Sequence, residues 1–92
     1  MEKLQNHIEK IFGDKDRNRD IYKTLCWLTE EVGELNRAIR KQDRKEEEEE
    51  FADVLAFLIS AANVRNINLE EVFYKKYPEY CIRCNKKKCE CK

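Results

Sequence analysis

The sequence contains few of the residues that interrupt a helix. One proline and two glycines occur among its 92 residues, so it offers few of the residues on which tight turns depend. No run of about 18 apolar residues is present, which argues against a transmembrane helix. Apolar residues instead recur every three or four positions, the spacing of an amphipathic helix. The sequence therefore predicts an all-α fold, and its length predicts a single small unit.

An excess of charge of either sign is also absent. Nineteen Lys and Arg residues balance nineteen Asp and Glu residues, although charged residues make up 41% of the chain. A protein that binds nucleic acid polymers through a general basic surface needs an excess of positive charge, so we expect no such partner. The segment "MEKLQNHIEK" lacks the apolar core of a signal peptide. We therefore expect a cytoplasmic protein with no membrane partner.

Capping signals divide the chain into four predicted helices. Gly13 predicts the end of the first helix, residues 2–12. Asp20 can cap the second helix, which runs to about residue 41. The pairs Asp43/Glu46 and Asn68/Glu71 resemble capping boxes. They begin a third helix, residues 44–64, and a short fourth helix that ends before Pro78.

Two pairs of carboxylates lie within the apolar patterns of the second and third predicted helices. Glu31 and Glu34 form one pair and Glu50 and Asp53 the other, and a three-residue spacing places both acids of a pair on one helix face. Glu50 and Asp53 head an apolar stripe, where unpaired carboxylates are costly without a cation. Ligand sets made only of oxygen select hard ions such as Mg²⁺ or Mn²⁺. Acid pairs are also common on solvated helices in a chain this charged, and that alternative stays open.

The string "EEVGE" (Glu30 to Glu34) followed by "EFAD" (Glu50 to Asp53) resembles the EExxE–ExxD signature of the MazG-like nucleoside triphosphate pyrophosphohydrolases. The resemblance covers roughly residues 4–76. It implies an all-α, bundle-like fold completed by oligomerisation, as a dimer or a dimer of dimers. It also implies Mg²⁺-dependent (or Mn²⁺-dependent) hydrolysis of nucleoside triphosphates, ribo- or deoxyribo-, to monophosphate and pyrophosphate. Removal of unwanted nucleotides from the cellular pool is the role that the family suggests.

The same resemblance assigns roles to individual residues. The acids of the motif would act as metal ligands and catalytic groups, and Lys76 would contact the substrate. The position of Trp27, one turn before Glu31 on the same flank of the helix, separately predicts stacking on the nucleobase of the substrate. Packing between helices is the alternative role for Trp27, and an ordinary surface charge is the alternative for Lys76. The implied metal ligands are Glu31, Glu34, Glu50 and Asp53, and the implied catalytic residues are Glu30 and Glu31.

A tail rich in cysteine and lysine, residues 79–92, follows the predicted helical domain of residues 1–78. Its spacing, Cys81-x2-Cys84-x4-Cys89-x-Cys91, suits a tetrahedral zinc site with a structural role. An iron–sulfur site and free or disulfide-forming thiols are the alternatives. The tail also supports a different reading of the chain, as a zinc-binding helical module that docks a protein partner without catalysis. A redox sensor that uses the thiols is a further alternative.

Overall fold

The computed structural model describes residues 1–92 and contains four α-helices and no strands. Their bounds are α1 Glu2–Asn18, α2 Ile21–Lys41, α3 Arg44–Val64 and α4 Leu69–Lys76. The remaining C-terminal residues form turns and bends. The predicted all-α class is therefore confirmed. No helix combines the length and the apolar content that are needed to span a bilayer.

The helices α2 and α3 form a hairpin that carries most of the contacts between elements. Only Gln42 and Asp43 separate them, and Gln42 adopts the left-handed conformation (φ 57°, ψ 32°) that commonly ends a helix. Such short connections join antiparallel neighbours. Helix α1 packs mainly against α3 and touches α2 only slightly. Helix α3 is thus the central element, and its acidic N-terminal half lies beside the C-terminal half of α2.

The predicted starts of α2, α3 and α4 are confirmed by side-chain caps. Asp20 accepts a hydrogen bond from the backbone N–H of Tyr22 (2.8 Å). Asp43 and Asn68 accept equivalent bonds, at 3.2 and 3.0 Å, from the backbone N–H groups three residues further on. Each cap satisfies a donor that the first turn of a helix leaves without a partner. The local sequence thereby fixes where the helices that carry the acids begin.

The predicted end of α1 at residue 12 is wrong. The helix continues through Gly13 to Asn18 and ends at Arg19, which is extended (φ −99°, ψ 143°). The guanidinium of Arg17 donates two hydrogen bonds to the Glu9 carboxylate, at 2.5 and 2.7 Å, across the position of Gly13. A Cβ at Gly13 would collide with that carboxylate. The glycine therefore leaves space for an ion pair that spans two turns, and does not end the helix.

Gln5 connects α1 to the turn between α3 and α4. This buried side chain donates to the Asn63 Oδ1 atom (2.9 Å) and to the carbonyl oxygen of Ile67 (2.8 Å). Its Oε1 atom accepts from the backbone N–H of Leu69 (2.7 Å), the first residue of α4. Asn63 in return donates to the Gln5 carbonyl oxygen (3.0 Å). One polar side chain thus holds three helices in register, because buried polar atoms need partners.

The apolar core is small. The buried hydrophobic residues are Ala38, Ile59, Ala61 and Ala62. Several large apolar side chains on α2 and α3 remain exposed, among them Leu25, Val32, Ile39, Phe51 and Leu58. A single copy of the chain therefore leaves much of the apolar surface of its central hairpin in contact with water.

Candidate functional site

Three carboxylates converge at the interface between α2 and α3. One oxygen from each of Glu31, Glu50 and Asp53 lies within 4.8 Å of the other two. Glu31 comes from the middle of α2, and the other two come from one face of α3 because they are three residues apart. The antiparallel hairpin brings the two helix faces together. We call these three residues the acid triad.

Glu50 is the member whose environment is least favourable for a negative charge. Its Oε2 atom is buried and has no hydrogen-bond partner. A hydrogen bond shared with Glu31, partial burial and the charges of Glu31, Asp53 and Glu34 raise the pKa of Glu50 to about 7. A carboxylate with a buried, unpartnered oxygen among like charges is what a cation would compensate.

The donor set fits Mg²⁺ or Mn²⁺. All three groups are carboxylates, the hard oxygen ligands that these ions prefer. Mg²⁺ holds its ligands at about 2.0–2.1 Å and retains several water molecules, so it does not need a full set of protein oxygens. Small side-chain rotations would draw the three oxygens around one ion.

The other two acids of the motif lie outside the acid triad. Glu34 is half exposed, and its carboxylate lies 3.5 Å from the Arg37 guanidinium on the same helix. It still contributes to the negative potential at Glu50. Glu30 is exposed on α2 next to Glu31. Of the predicted acidic site residues, the structure thus brings together Glu31, Glu50 and Asp53 and leaves Glu30 and Glu34 at the edge.

Trp27 lies one turn before Glu31 on α2, and its ring already has neighbours. It makes an edge-to-face contact with Phe57 of α3 (centroids 5.9 Å apart). The Arg19 guanidinium lies 4.7 Å from the Trp27 centroid, and the Lys23 ammonium lies 5.4 Å from it. Arg19 is fixed in turn by hydrogen bonds to the buried Asp16 (2.9 Å) and to Thr24 (3.2 Å).

The contact between Arg19 and Trp27 could not be predicted from the sequence. Arg19 is itself the extended residue after α1, and no periodic pattern of residues indicates the direction of its side chain. The resulting arrangement places two cations and an indole ring one turn from the acid triad.

Lys76 occupies the last turn of α4. Its ammonium nitrogen lies 5.8 Å from the centroid of the Tyr77 ring and forms no ion pair. It lines a cavity between α4 and the cysteine-rich tail.

Comparison with known protein families settles the broader relationship. Residues 19–86, well over half of the chain, match the model of the MazG nucleotide pyrophosphohydrolase domain. The chain belongs to this family. The matched range contains the whole acid triad, begins just after α1 and ends inside the tail. No curated protein matches this MazG chain.

The four cysteines of the tail form a second cluster in the MazG chain. The sulfur atoms of Cys81, Cys84, Cys89 and Cys91 all lie within 4.8 Å of one another, and those of Cys81 and Cys91 are 3.7 Å apart. Sulfurs bonded to one tetrahedral Zn²⁺ at about 2.3 Å lie about 3.8 Å apart. Disulfide-bonded sulfurs would be about 2.05 Å apart. The cluster therefore has the spacing of a tetrathiolate metal site.

Backbone N–H groups favour the thiolate form of Cys81 and Cys84. The backbone N–H groups of Cys84 and Arg83 lower the pKa of Cys81 to about 6. The backbone N–H of Glu90 donates to the Cys84 sulfur (3.5 Å) and lowers the pKa of Cys84. Hydrogen bonds with the neighbouring thiols of Cys89, Cys81 and Cys84 raise the pKa of Cys91 to about 11, so this group stays a thiol when no metal is bound. Thiolates are the ligands that zinc binds, so four such groups fit this metal.

Proposed function

We propose that this MazG domain is a Mg²⁺-dependent pyrophosphohydrolase that converts nucleoside triphosphates to monophosphates and pyrophosphate. The acid triad is the observation that carries the proposal. Its three carboxylates lie within 4.8 Å of one another, one of them has a buried oxygen without a partner, and all lie inside the family match. Removal of unwanted nucleotides from the cellular pool is the role we propose for this activity.

The triad residues would hold the ion, and Glu34 would join them if its contact with Arg37 opened. When bound, Mg²⁺ supplies charge neutralisation at the phosphate oxygens and orients the attacking water. Glu31 would bind the ion and Glu30, exposed beside it, would accept the proton of the water. Trp27 would lie against the base, with Arg19 and Lys23 close to the phosphates.

A nucleotide panel tests the activity directly. The protein is incubated with Mg²⁺ and with standard and modified triphosphates, and released pyrophosphate is measured. Glu50→Gln and Asp53→Asn should each lower turnover at least a hundredfold, because each removes a ligand charge. Glu49→Gln is the matched control, since Glu49 is an exposed acid next to Glu50. Absence of turnover with every triphosphate would contradict the proposal, as would equal losses in the control.

A second candidate is a zinc-binding helical module that docks a protein partner without catalysis. The tetrathiolate spacing of the tail and the exposed apolar residues Val72 and Phe73 on α4 favour it. The two candidates differ in metal content. Crystals soaked in Mn²⁺ should show anomalous signal at the acid triad if the chain is an enzyme. Signal confined to the cysteines would favour the interaction module.

A further inference from the structure

The carboxylate of Asp16 is buried in the last turn of α1 and plays no part in the proposed metal chemistry. The residue is only 3% exposed. The last turn of a helix favours cations over carboxylates, because the helix dipole is negative there. The Asp16 Oδ1 atom accepts one hydrogen bond, from Nη1 of Arg19 (2.9 Å), and the Oδ2 atom is buried without a partner. The carboxylate therefore bonds to one side chain only, that of Arg19.

Stability alone does not account for this ion pair. Replacing a buried ion pair by apolar side chains of similar volume is often neutral or stabilising, and here one carboxylate oxygen gains no hydrogen bond. What the pair provides is a fixed position for a long and otherwise flexible side chain. The hydroxyl of the buried Thr24 accepts a second bond from the same nitrogen of Arg19 (3.2 Å). Two buried oxygens, one on α1 and one on α2, thus hold one guanidinium.

The fixed guanidinium lies beside the candidate site. Its central carbon is 4.7 Å from the centroid of Trp27, which precedes Glu31 of the acid triad by one turn. A guanidinium carries five N–H donors, and the two hydrogen bonds of Arg19 both use Nη1. The donors on Nε and Nη2 have no partner, although the side chain is only 20% exposed. Unpaired donors in such a position are costly, and acceptor atoms of a bound nucleotide would satisfy them.

Net charge is not what this arrangement supplies. The Asp16 carboxylate offsets the charge of Arg19. Asp20, the next residue, adds a carboxylate that caps α2. Lys23 balances it with an ammonium that lies 5.4 Å from the Trp27 centroid. Because these charges cancel, the arrangement offers N–H donors at a fixed position and no excess of positive charge.

We propose that Asp16 and Thr24 are positioning residues for the substrate. They hold the Arg19 guanidinium beside Trp27, where its free N–H groups donate to acceptor atoms of the bound nucleotide. The inference rests on the proposed function, and it adds a residue of α1 that lies outside the range 19–86 matched to the family. A group that is already fixed loses less freedom when the substrate binds, so the pair acts on affinity.

Steady-state kinetics of the full chain, with Mg²⁺ and the triphosphate that turns over fastest, tests the positioning. Asp16→Ala should raise KM about tenfold, the effect of one lost charged hydrogen bond. It should change kcat less than about threefold, because the contact is present both in the bound substrate and in the transition state. Thr24→Val removes the second acceptor, keeps the shape and should raise KM by a smaller factor. The control is Asp14→Ala, an exposed acid on the same helix, which should leave KM unchanged within about twofold.

Two further measurements separate positioning from a loss of folding. If Asp16 acts through Arg19, their effects on KM do not multiply, so the double alanine variant should match Arg19→Ala within about twofold. Circular dichroism and the affinity of the acid triad for Mn²⁺ should be unchanged in every variant. Where Asp16→Ala does not fold, Thr24→Val combined with Arg19→Ala gives the same comparison. Effects that multiply, or an equal rise of KM in Asp14→Ala, would overturn the inference.

A comparison of several triphosphates identifies the acceptor atoms. An equal rise of KM for all of them places the guanidinium at the phosphates, which they share, and a rise for some bases alone places it at a base edge. Absence of turnover by the wild type contradicts the proposed function, and the inference with it. Turnover by the wild type with an unchanged KM in Asp16→Ala and Thr24→Val contradicts the inference alone.

Discussion

Glu50 contributes in opposite directions to stability and to the proposed chemistry. Its carboxyl group is half-buried next to Glu31 and Asp53, and its Oε2 atom has no partner. Without a divalent cation, ionisation of this group opposes folding. With one, the same charge is a ligand. The acid triad therefore lowers the stability of the metal-free chain and provides the site for the ion.

The first prediction concerns the pH dependence of stability without magnesium. The pKa of Glu50 is about 7 in the folded chain and 4.5 as an ordinary glutamate. The folded chain therefore binds more protons between these values, and its free energy of unfolding falls as the pH rises through that window. Glu50→Gln should be more stable than the wild type above pH 7 and nearly equal to it below pH 4.5.

Urea unfolding of both proteins across this pH range measures the difference. Changes in the cysteine tail affect both proteins alike and cancel in the comparison. Magnesium should reduce or reverse the gap at pH 8. A constant difference across the whole range would contradict the environment described for Glu50.

A second prediction concerns Trp27. Because its ring packs against Phe57 and lies near Arg19, Trp27→Ala should lower the free energy of unfolding by about 2 kcal/mol, less than for a fully buried tryptophan. Trp27→Phe should lose less than half of that. Chemical denaturation measures both. Unchanged stability of Trp27→Ala, combined with a raised KM, would show that the ring serves the substrate alone.

At the scale of the elements, local sequence determined the helix starts and tertiary contacts determined much else. The caps at Asp20, Asp43 and Asn68 could be read from single residues, because their hydrogen bonds are local. The end of α1 could not be predicted in this way, since the Glu9–Arg17 ion pair over Gly13 joins residues eight positions apart.

The acid triad was likewise predictable in part from local sequence and in part only from the tertiary structure. Helical spacing placed Glu50 and Asp53 together on one face of α3, and the hairpin brought Glu31 to them. The contact of Glu34 with Arg37 depends on side-chain conformation, which no periodicity reports. The catalytic role of Glu30, the ligand role of Glu34 and the substrate contacts of Trp27 and Lys76 stay predictions.

The third prediction tests the polar connection between elements. Gln5→Leu should lower the free energy of unfolding by about 2–4 kcal/mol, because it removes the hydrogen bonds to the part-buried Asn63 Oδ1 atom, Ile67 carbonyl and Leu69 N–H. Asn6→Leu, an exposed amide on the same helix, is the control and should cost less than about 0.5 kcal/mol. Hydrogen exchange should show α4 losing most of its protection in Gln5→Leu. A loss confined to α1 would contradict the connection.

At the scale of the molecule, the single chain is more extended than a compact domain. Its radius of gyration is 15.8 Å, whereas a compact domain of this length has about 12 Å. Leu25, Val32 and Ile39 recur every seven residues along α2 and are all at least one-third exposed. Such a stripe is the seam of a packed helix pair. A second copy of the chain, covering this stripe, is the assembly we propose.

The fourth prediction follows from that stripe. The wild type should have a mass in light scattering of at least twice the 11.1 kDa of one chain. Val32→Asp should shift it toward the monomer, because a charge would be buried in the interface. Val32→Ala keeps the position apolar and should keep the assembly. Since Val32 is 49% exposed in one chain, circular dichroism should show that both variants remain helical. A monomeric wild type would contradict the proposed assembly.

Because the Oε2 atom of Glu50 has no partner, the melting temperature of the chain should depend strongly on which ligands are bound. A ligand that binds only the folded chain raises its melting temperature, by an amount that grows with the logarithm of the ligand concentration divided by Kd. We expect a large rise in melting temperature at the acid triad. A cation with its bound nucleotide would reduce the repulsion among the three carboxylates and would also add contacts. Thermal shift screening with a catalytically impaired Glu30→Gln chain would then rank nucleotides by binding without turnover. The substrate could thus be found from melting curves before any reaction is observed.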